Sequence, residues 1–490
     1  MSFEATVQAQ TTLRIGLAED PDILDPTMAR TYVGRIVFSA FCDKLFDIDE
    51  KANIVPQLAL SHESSEDGKT VIIKLRPGVK FHDGEPLDAE AAKYSLERHL
   101  NMKGSFRRPE LAAVDTVEVV DPLTIKLNLK QPFSPLFAQL TDRAGMMVSP
   151  KAAEAAGDKF ALHPVCAGPY KFVERIPQDR IVVEKFADYW NKDHVFIDKI
   201  TYLPIVDSTV RLANLRSGGL DMMERVLATD IKTVRDDPKL KLSKAVSLGW
   251  FALLINVANG PKADNPLGKD ARVRRAFDLS IDREALNQVV FNGEFQPGNQ
   301  WVNPQSPYYQ QAFPIPKRDI AKAKALMKEA GVTGPVTIDF MLGNSPEERA
   351  VGEVLQSMTA EAGFDLKLRV VEAATAFKSA EDGDFQLYEN NWSGRIDPDG
   401  NSVIYQTCGA PQNLGHYCDK DIDAWHREAR ASSDLATRKA AYEKITARFL
   451  AEGWMIYLFH PQYLIAHTVR LENFKPMPDG LIRVIDVKLK

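Results

Sequence analysis

The chain has no long apolar segment. No run of about 18 apolar residues, the length that a membrane-spanning helix requires, occurs in its 490 residues. Its first ten residues, Met1 to Gln10, have no basic start followed by an apolar stretch, so they are not an intact signal peptide. A cytosolic protein begins in this way, and so does an exported protein that lacks its leader.

An excess of positive charge is also absent. The chain has 61 Lys and Arg against 67 Asp and Glu, which gives a net charge of -6. Nucleic acids and anionic membranes favour clustered basic residues, so neither is predicted as a partner. Internal repeats and low-complexity linkers are missing too. A chain longer than one hydrophobic core usually supports is therefore predicted to form two or three lobes joined by short crossings.

The common catalytic and metal-binding motifs are missing. The sequence has no phosphate-binding P-loop, no Gly-x-Gly-x-x-Gly after a strand, no His-Glu-x-x-His and no Gly-x-Ser-x-Gly. The segment from Asp397 superficially resembles a calcium loop, but Ser402 and Cys408 stand where such a loop needs Gly and Glu. The sequence therefore predicts no enzyme, no metal and no cofactor.

Cysteine is scarce, with four residues in the chain. Cys42 and Cys166 lie in apolar surroundings and are predicted to be buried thiols. Cys408 and Cys418 lie close together in a polar segment, and a bridge between them is predicted in an oxidising compartment. The alternative, in which these two cysteines and His416 hold zinc, stays open at this point, although a fourth ligand is not obvious.

The residue patterns that are present predict an α/β fold. Strands are expected at Thr12–Leu17, Val71–Arg76, Thr124–Leu129, Ile181–Phe186, Val336–Leu342 and Leu366–Val371. Helices are expected at Phe38–Phe46, Ala89–His99, Ser208–Ser217, Ala271–Phe291, Ile320–Ala330, Glu347–Ala362, Asp421–Ser432 and Leu435–Glu452. The second half thus alternates strand and helix, as a parallel or mixed sheet covered by helices requires.

One long segment carries a specific resemblance. The stretch from Leu75 to Arg98, which includes Arg-Pro-Gly-Val-Lys-Phe-His-Asp-Gly, closely resembles a signature of bacterial extracellular solute-binding proteins of the oligopeptide, dipeptide and nickel importer class (family 5). Further matches follow in the family's order, at Ala167–Phe172, Asp188–Trp190, Leu215–Asp221, Val273–Arg283 and Trp392–Asp399. The resemblance covers nearly the whole chain.

The resemblance implies both a fold and a function. The fold is the two-lobed periplasmic-binding-protein-like fold of type II, with an extra subdomain inserted in the first lobe. The expected limits are 1–45 for lobe 1, 46–165 for the subdomain, 166–255 for the rest of lobe 1, 256–461 for lobe 2 and 462–490 for the return to lobe 1.

The implied function is that of a monomeric substrate-binding subunit of an ABC importer. Such a subunit closes around a small solute in the periplasm, or at the outer face as a lipid-anchored protein, and docks on permease subunits in the inner membrane. The implied chain is the mature, exported form.

The family also indicates candidate ligand contacts. Where peptide-binding relatives have an Asp that pairs with the α-ammonium group of the peptide, this chain has Arg395, which favours a carboxylate or phosphate. An anionic or zwitterionic solute is therefore expected, such as an opine-like conjugate, a modified peptide or a sugar acid. Two alternatives stay open: Arg395 pairs with Asp397 or Asp399 instead, and Trp392 is a core residue. The remaining candidate ligand contacts are Trp392, Trp250, Phe251, Tyr32, Arg30, Met146, Asn391, Asn401, Tyr405 and His416.

Two other classes of function remain as alternatives to the importer subunit. A sensory or chaperone-like binding protein can use the same scaffold to present a ligand to a receptor. An enzyme on this scaffold would need a nucleophile or a metal set, which the sequence does not offer.

Overall fold

The computed structural model describes residues 10–490, apart from the side chains at positions 373 and 374. The segment Met1 to Gln10, which is predicted not to be an intact signal peptide, therefore lies outside the described residues except for Gln10. The chain divides into two compact units, of which the first contains residues 1–245 and 463–490 and the second contains residues 246–462. In the part of the chain that the structure describes, no helix is both long and apolar enough to cross a bilayer.

The described chain up to residue 246 contains both strands and helices, and several strands follow one another directly. The strands are β1 Thr12–Leu17, β2 Phe46–Ile48, β3 Ile54–Pro56, β4 Ala59–Ser64, β5 Thr70–Leu75, β6 Val114–Asp121, β7 Thr124–Leu129, β8 Tyr170–Ile176, β9 Arg180–Lys185, β10 Lys199–Pro204, β11 Met222–Met223 and β12 Leu240–Val246. The helices are α1 Tyr32–Phe41, α2 Ala89–Asn101, α3 Leu136–Gln139, α4 Pro150–Ala156, α5 Ser208–Ser217 and α6 Ile231–Asp236.

The rest of the chain also contains both strands and helices. Its strands are β13 Trp250–Ile255, β14 Gln296–Pro297, β15 Val336–Leu342, β16 Phe364–Val370, β17 Leu387–Trp392, β18 Met455–His460, β19 Gln462–Thr468, β20 Leu471–Glu472 and β21 Lys488–Leu489. Its helices are α7 Pro266–Lys269, α8 Ala271–Leu279, α9 Arg283–Phe291, α10 Ile320–Glu329, α11 Pro346–Ala360, α12 Ala373–Glu381, α13 Asp399–Gln406, α14 Lys420–Ala431 and α15 Leu435–Glu452.

The first unit is built on a mixed sheet in the order β12-β19-β11-β1-β10-β9-β8. Strand β1 runs parallel to both of its neighbours, β10 and β11, whereas β19 is antiparallel to β11. Leu13, Ile15 and Leu17 of β1 are fully buried and pack with Val33 and Val37 of α1. The carboxyl ends of β1 and β11 therefore meet at one edge of this sheet.

A second sheet in the first unit has the order β4-β5-β7-β6 and a hydrophobic core of its own. Strands β5 and β7 contribute the buried side chains of Val71, Ile73, Ile125 and Leu127, and α2 contributes Leu96. This sheet lies within residues 46–165, the range that the sequence assigns to an inserted subdomain. The limits of the lobes remain predictions; strand β13 (Trp250–Ile255) lies in the six-stranded sheet of the second unit.

The second unit is built on a sheet in the order β14-β18-β13-β17-β15-β16. Strand β13 lies between β17 and β18 and is antiparallel to both. All six of its residues are buried, which explains its continuous apolar sequence, because a central strand covered on both faces cannot alternate with polar residues. Strands β15, β16 and β17 are parallel, as the alternation of strands and helices predicts.

Two predicted helices are wrong in their limits. The helix predicted at Phe38–Phe46 instead begins at Tyr32, because the side chain of Thr31 accepts the amide hydrogen of Gly34 at 3.3 Å. The single helix predicted at Ala271–Phe291 is two helices, α8 and α9. Asp282 lies between them in extended conformation and caps α9 by accepting the amide of Ala285 at 2.9 Å.

Candidate ligand-binding site

The loop after β17 presents Arg395. Its guanidinium carbon lies 4.6 Å from the centre of the Trp392 ring, and its Nη1 donates to the carbonyl of Gly394 at 2.7 Å. Both side chains are half-buried. Gly394 has a φ of 83°, and a Cβ atom there would lie 2.2 Å from the carbonyl carbon of Leu248, so only glycine fits. The turn thus holds the guanidinium against a flat aromatic face, an arrangement that stabilises a planar cation.

Asn401 fixes this loop from α13. Its Oδ1 accepts the amide of Arg395 at 2.6 Å and the indole Nε1 of Trp392 at 3.1 Å, and its Nδ2 donates to the carbonyl of Arg395 at 2.8 Å. The side chain is almost fully buried. In this structure the hydrogen bonds of Asn401 position Arg395 and Trp392, and its contact with ligand stays a prediction.

Asp397 and Asp399, the predicted alternative partners of Arg395, are held by other arginines. Asp397 is buried and accepts two hydrogen bonds from Arg438, at 2.8 and 2.7 Å. Asp399 accepts two from Arg430, at 2.5 and 3.0 Å. Both pairs anchor the loop and the start of α13 to the helices α14 and α15.

Three predicted aromatic contacts lie in the core of the second unit. Trp250 is fully buried, its Nε1 donates to the carbonyl of Asn401 at 3.2 Å, and its ring meets that of Tyr405 edge-on at 4.7 Å. Tyr405 is buried in the same cluster, where burial raises its phenol pKa well above the usual value and the positive charge of Arg395 opposes that shift. Phe251 is buried against Phe459. All three side chains therefore pack beneath the loop, and their contact with ligand stays a prediction. Trp392 is half-buried and packs against the same core.

Two polar candidates of the second unit are exposed. Asn391 lies in β17 opposite Phe251, and its side chain is exposed. His416 is exposed and has a φ of 57°, with its amide donating to the carbonyl of Asn413 at 3.0 Å. Both remain predictions.

The structure has two disulfides. Cys408 is bridged to Cys418, as the sequence predicts, so these sulfurs are not available to zinc. Cys42 is bridged to Cys166 across 124 residues. The prediction that these two are free thiols is wrong, because the end of α1 and the segment before β8 bring them together, with Gly168 donating its amide to the carbonyl of Phe41 at 3.0 Å. Within residues 10–490, no cluster of three or more His, Cys, Asp or Glu side chains could hold a metal ion.

The three candidate ligand contacts in the first unit lie in different surroundings. Tyr32 is half-buried, donates its hydroxyl hydrogen to the carbonyl of Gly480 at 2.7 Å and stacks on Tyr463 with ring centres 5.6 Å apart. Burial raises the pKa of Tyr32 well above its usual value. Arg30 is exposed, and its guanidinium carbon lies 4.8 Å from the centre of the Phe106 ring. Met146 is fully buried in the hydrophobic core, and its contact with ligand stays a prediction.

Sequence reasoning missed a charged cluster beside Tyr32. Glu19 follows β1, and Glu224 and Arg225 follow β11, so all three lie at the sheet edge where these parallel strands end. The guanidinium of Arg225 lies 5.1 Å from the centre of the Tyr32 ring and pairs with Glu19 at 3.2 Å and with Glu224 at 3.1 Å. Desolvation by itself lowers the pKa of Arg225, but the two carboxylates outweigh it and raise that pKa. The available signal was the position of these charges directly after a short apolar strand, because ligands of open α/β sheets bind at the carboxyl ends of the strands.

Charged side chains at the carboxyl ends of strands lie where ligands of open α/β sheets bind. Residues 53–413 match the family described as bacterial extracellular solute-binding proteins, family 5 Middle, and the chain belongs to this family.

Individual relatives agree with this assignment. The chain is 31% identical over 479 residues to the glutathione-binding protein GsiB of Pectobacterium atrosepticum. These residues cover 95% of this chain and 92% of that protein. Its fold is similar to that of the binding protein AgaA from A. tumefaciens R10 in complex with agropinic acid, with a TM-score of 0.84, 26% identity and coverage of 98% and 99% of the two chains. It is also similar to DppA from Helicobacter pylori in complex with the peptide STSA, with a TM-score of 0.85, 22% identity and 98% of each chain covered.

These relatives confirm the predicted fold class and the predicted role as a substrate-binding subunit of an ABC importer. They are solute-binding proteins and not enzymes, as predicted. Proteins of this family bind small solutes, work with ABC permeases and are periplasmic or extracellular.

Proposed function

We propose that this chain captures an anionic or zwitterionic small solute and that Arg395 binds a carboxylate of that solute. The observation that carries the proposal is the fixed presentation of Arg395, whose backbone is held on both sides by Asn401 and whose guanidinium stacks on Trp392. A guanidinium held in one orientation loses little side-chain entropy when it forms a two-point contact with a carboxylate. The half-buried Trp392 offers a flat surface for the body of the solute.

Two relatives support this class of ligand. GsiB is named for binding glutathione, and AgaA was solved with agropinic acid. Both ligands carry carboxylates. An opine-like conjugate, a modified peptide such as glutathione, and a sugar acid are accordingly the proposed solutes for this chain. In the first unit, Tyr32 and Arg30 remain the proposed contacts from the sequence, and Asn391 and His416 remain those of the second unit.

The proposed mode of action is closure. A solute that contacts both units only in a closed form has a higher affinity for that form, and its binding therefore shifts the population toward it. The closed form then docks on the permease subunits in the inner membrane. We further propose that the protein acts as a monomer, in the periplasm or attached to the outer face by a lipid, and that the mature chain is exported.

Closure predicts that a saturating solute compacts the protein. We expect the radius of gyration from small-angle X-ray scattering to fall when glutathione, or the solute released from the freshly purified protein, is added to saturation. The same solute stabilises the folded state by about 2.7 kcal/mol at 100 times its dissociation constant, so the melting temperature also rises. Arg395→Ala is the control: because its affinity is expected to be roughly 30-fold weaker, it should need a correspondingly higher solute concentration to show either change. A tight ligand that leaves the radius of gyration unchanged would rule out closure while leaving binding intact.

A further inference from the structure

The carboxyl edge of the first unit's sheet carries a second charged group of residues. Strand β1 ends at Leu17, two residues before Glu19, and β11 ends at Met223, directly before Glu224 and Arg225. Because β1 and β11 are parallel neighbours, these ends lie side by side. Side chains in this position are available to a ligand, since ligands of open α/β sheets bind outside the carboxyl ends of their strands.

The backbone of Arg225 is held in an unfavourable conformation. Its φ is 53°, in the left-handed region that side-chain-bearing residues seldom adopt. The guanidinium of Arg211, which is itself buried, donates to the carbonyl of Arg225 at 3.2 Å and to the carbonyl of Ile205 at 2.6 Å, and so holds the turn. Strained residues of this kind cluster at binding sites, where the surrounding structure maintains the strain for a purpose.

The guanidinium of Arg225 is fixed on two sides. The buried carboxylate of Glu224 lies 3.1 Å from its Nε and is itself held by the amide of Ala18 at 2.6 Å. The ring of Tyr32 lies beneath it at 5.1 Å, and Tyr32 is anchored through its hydroxyl to Gly480. The orientation of the guanidinium is therefore set before any ligand arrives.

The third partner of Arg225 is different. Glu19 pairs with Nη2 of Arg225 at 3.2 Å, and the side chains of Arg225 and Glu19 are 46% and 44% exposed. Exposed ion pairs contribute little to stability and open readily. A ligand with a carboxylate and an ammonium group can thus exchange partners here, because its carboxylate takes the guanidinium and its ammonium takes the carboxylate that is released.

We propose that the Arg225–Glu19 pair is a subsite for the head group of an α-amino acid. The α-carboxylate binds Nη atoms of Arg225, and the α-ammonium binds the carboxylate of Glu19. This inference rests on the proposed function, because it specifies part of the same solute: a molecule with a free amino acid head group and a further anionic group.

The test is a matrix of three probes and four proteins, measured by isothermal titration. The probes are glutathione, glutathione acetylated on its α-amino group, and glutathione amidated on the α-carboxyl group of its glutamyl residue. The proteins are the wild type, Glu19→Gln, Arg225→Gln and the control Glu174→Gln. Glu174 is a matched control because it lies in the same unit, is 43% exposed and pairs with Arg180 at 2.8 Å.

We expect acetylation and amidation each to weaken wild-type binding by about tenfold or more, the effect of losing one charge-assisted contact. Glu19→Gln should weaken glutathione binding by a similar factor and remove the effect of acetylation. Arg225→Gln should also weaken glutathione binding by a similar factor and should remove the effect of amidation. The Glu174→Gln control should bind all three probes as the wild type does, and melting temperatures should verify that each variant is folded.

Three outcomes overturn the inference. If Glu19→Gln and Arg225→Gln leave every affinity within about twofold while Arg395→Ala, titrated separately with glutathione, still weakens binding, the head-group subsite is wrong and the proposed function stands. If wild-type protein binds no probe, the matrix is repeated with the solute released from the purified protein and with its acetylated and amidated forms. A released solute that lacks either an amine or a carboxylate overturns the inference, and failure to bind any small anionic solute overturns the proposed function as well.

Discussion

Replacing Arg395 with alanine is expected to weaken binding of the anionic solute by roughly 30-fold or more. Removal of one partner of a desolvated charge pair costs about 2 to 5 kcal/mol, and each 1.4 kcal/mol is about tenfold in affinity. Arg395→Lys should recover only part of the loss, because an ammonium group cannot reproduce the planar fork of donors or the stacking on Trp392. Calorimetric titration with glutathione and with the solute released from the purified protein measures both effects.

Arg448 provides a matched control for Arg395. It also lies in the second unit, its guanidinium carbon is 5.6 Å from the ring of Trp425, and it pairs with Asp419 at 2.5 Å. Arg448→Ala therefore removes an arginine that lies against a tryptophan without changing the loop after β17. The affinity of this variant for the solute should equal that of the wild type. An affinity for Arg395→Ala within about threefold of the wild type would show that the carboxylate is bound elsewhere.

Asp397→Ala is expected to lower the free energy of unfolding by about 3 to 5 kcal/mol. The carboxylate accepts two hydrogen bonds from Arg438, whose side chain is also buried. Its removal leaves a buried guanidinium without its counter-charge, which costs far more than the intact pair contributes. Urea unfolding followed by tryptophan fluorescence measures the change.

Two further variants separate this explanation from a general loss of packing. Glu428→Ala removes one partner of the exposed pair between α14 and α15, in which Lys444 lies 3.1 Å away, and should cost no more than about 1 kcal/mol. The double variant Asp397→Ala with Arg438→Met removes both charges and should recover much of the stability lost by Asp397→Ala alone. A double variant less stable than the single one would contradict the charge-based explanation.

Much of the fold follows from local sequence. Helices α5 and α15 and strands β7 and β15 are predicted at their observed limits. The reason is that caps such as Asp207 and Asp434, whose side chains accept amides of the first turn, mark the helix starts, and alternating apolar residues mark the strands. The interruption between α8 and α9 was missed because apolar periodicity continues across it, whereas the break depends on the cap at Asp282.

The candidate site depends on long-range contacts that local sequence does not indicate. Arg395 and Trp392 were found because the family resemblance aligns their motif, and the structure presents them together. Trp250, Tyr405 and Met146 are candidate ligand contacts that the structure buries, because local sequence does not reveal that both faces of β13 are covered or how deeply a side chain lies. Arg225 and Glu19 are 206 positions apart and meet only through the pairing of β1 with β11, which no local pattern indicates.

Native mass spectrometry of the freshly purified protein tests most directly whether it is a binder of anionic solutes. We expect a fraction of the molecules to carry the additional mass of one small solute, which denaturation releases and which ionises in negative mode. Glutathione added to protein stripped of that solute should restore a single adduct if the solute belongs to the same class. A retained solute with no anionic group, or protein that stays empty with every small anionic solute offered, would contradict the account.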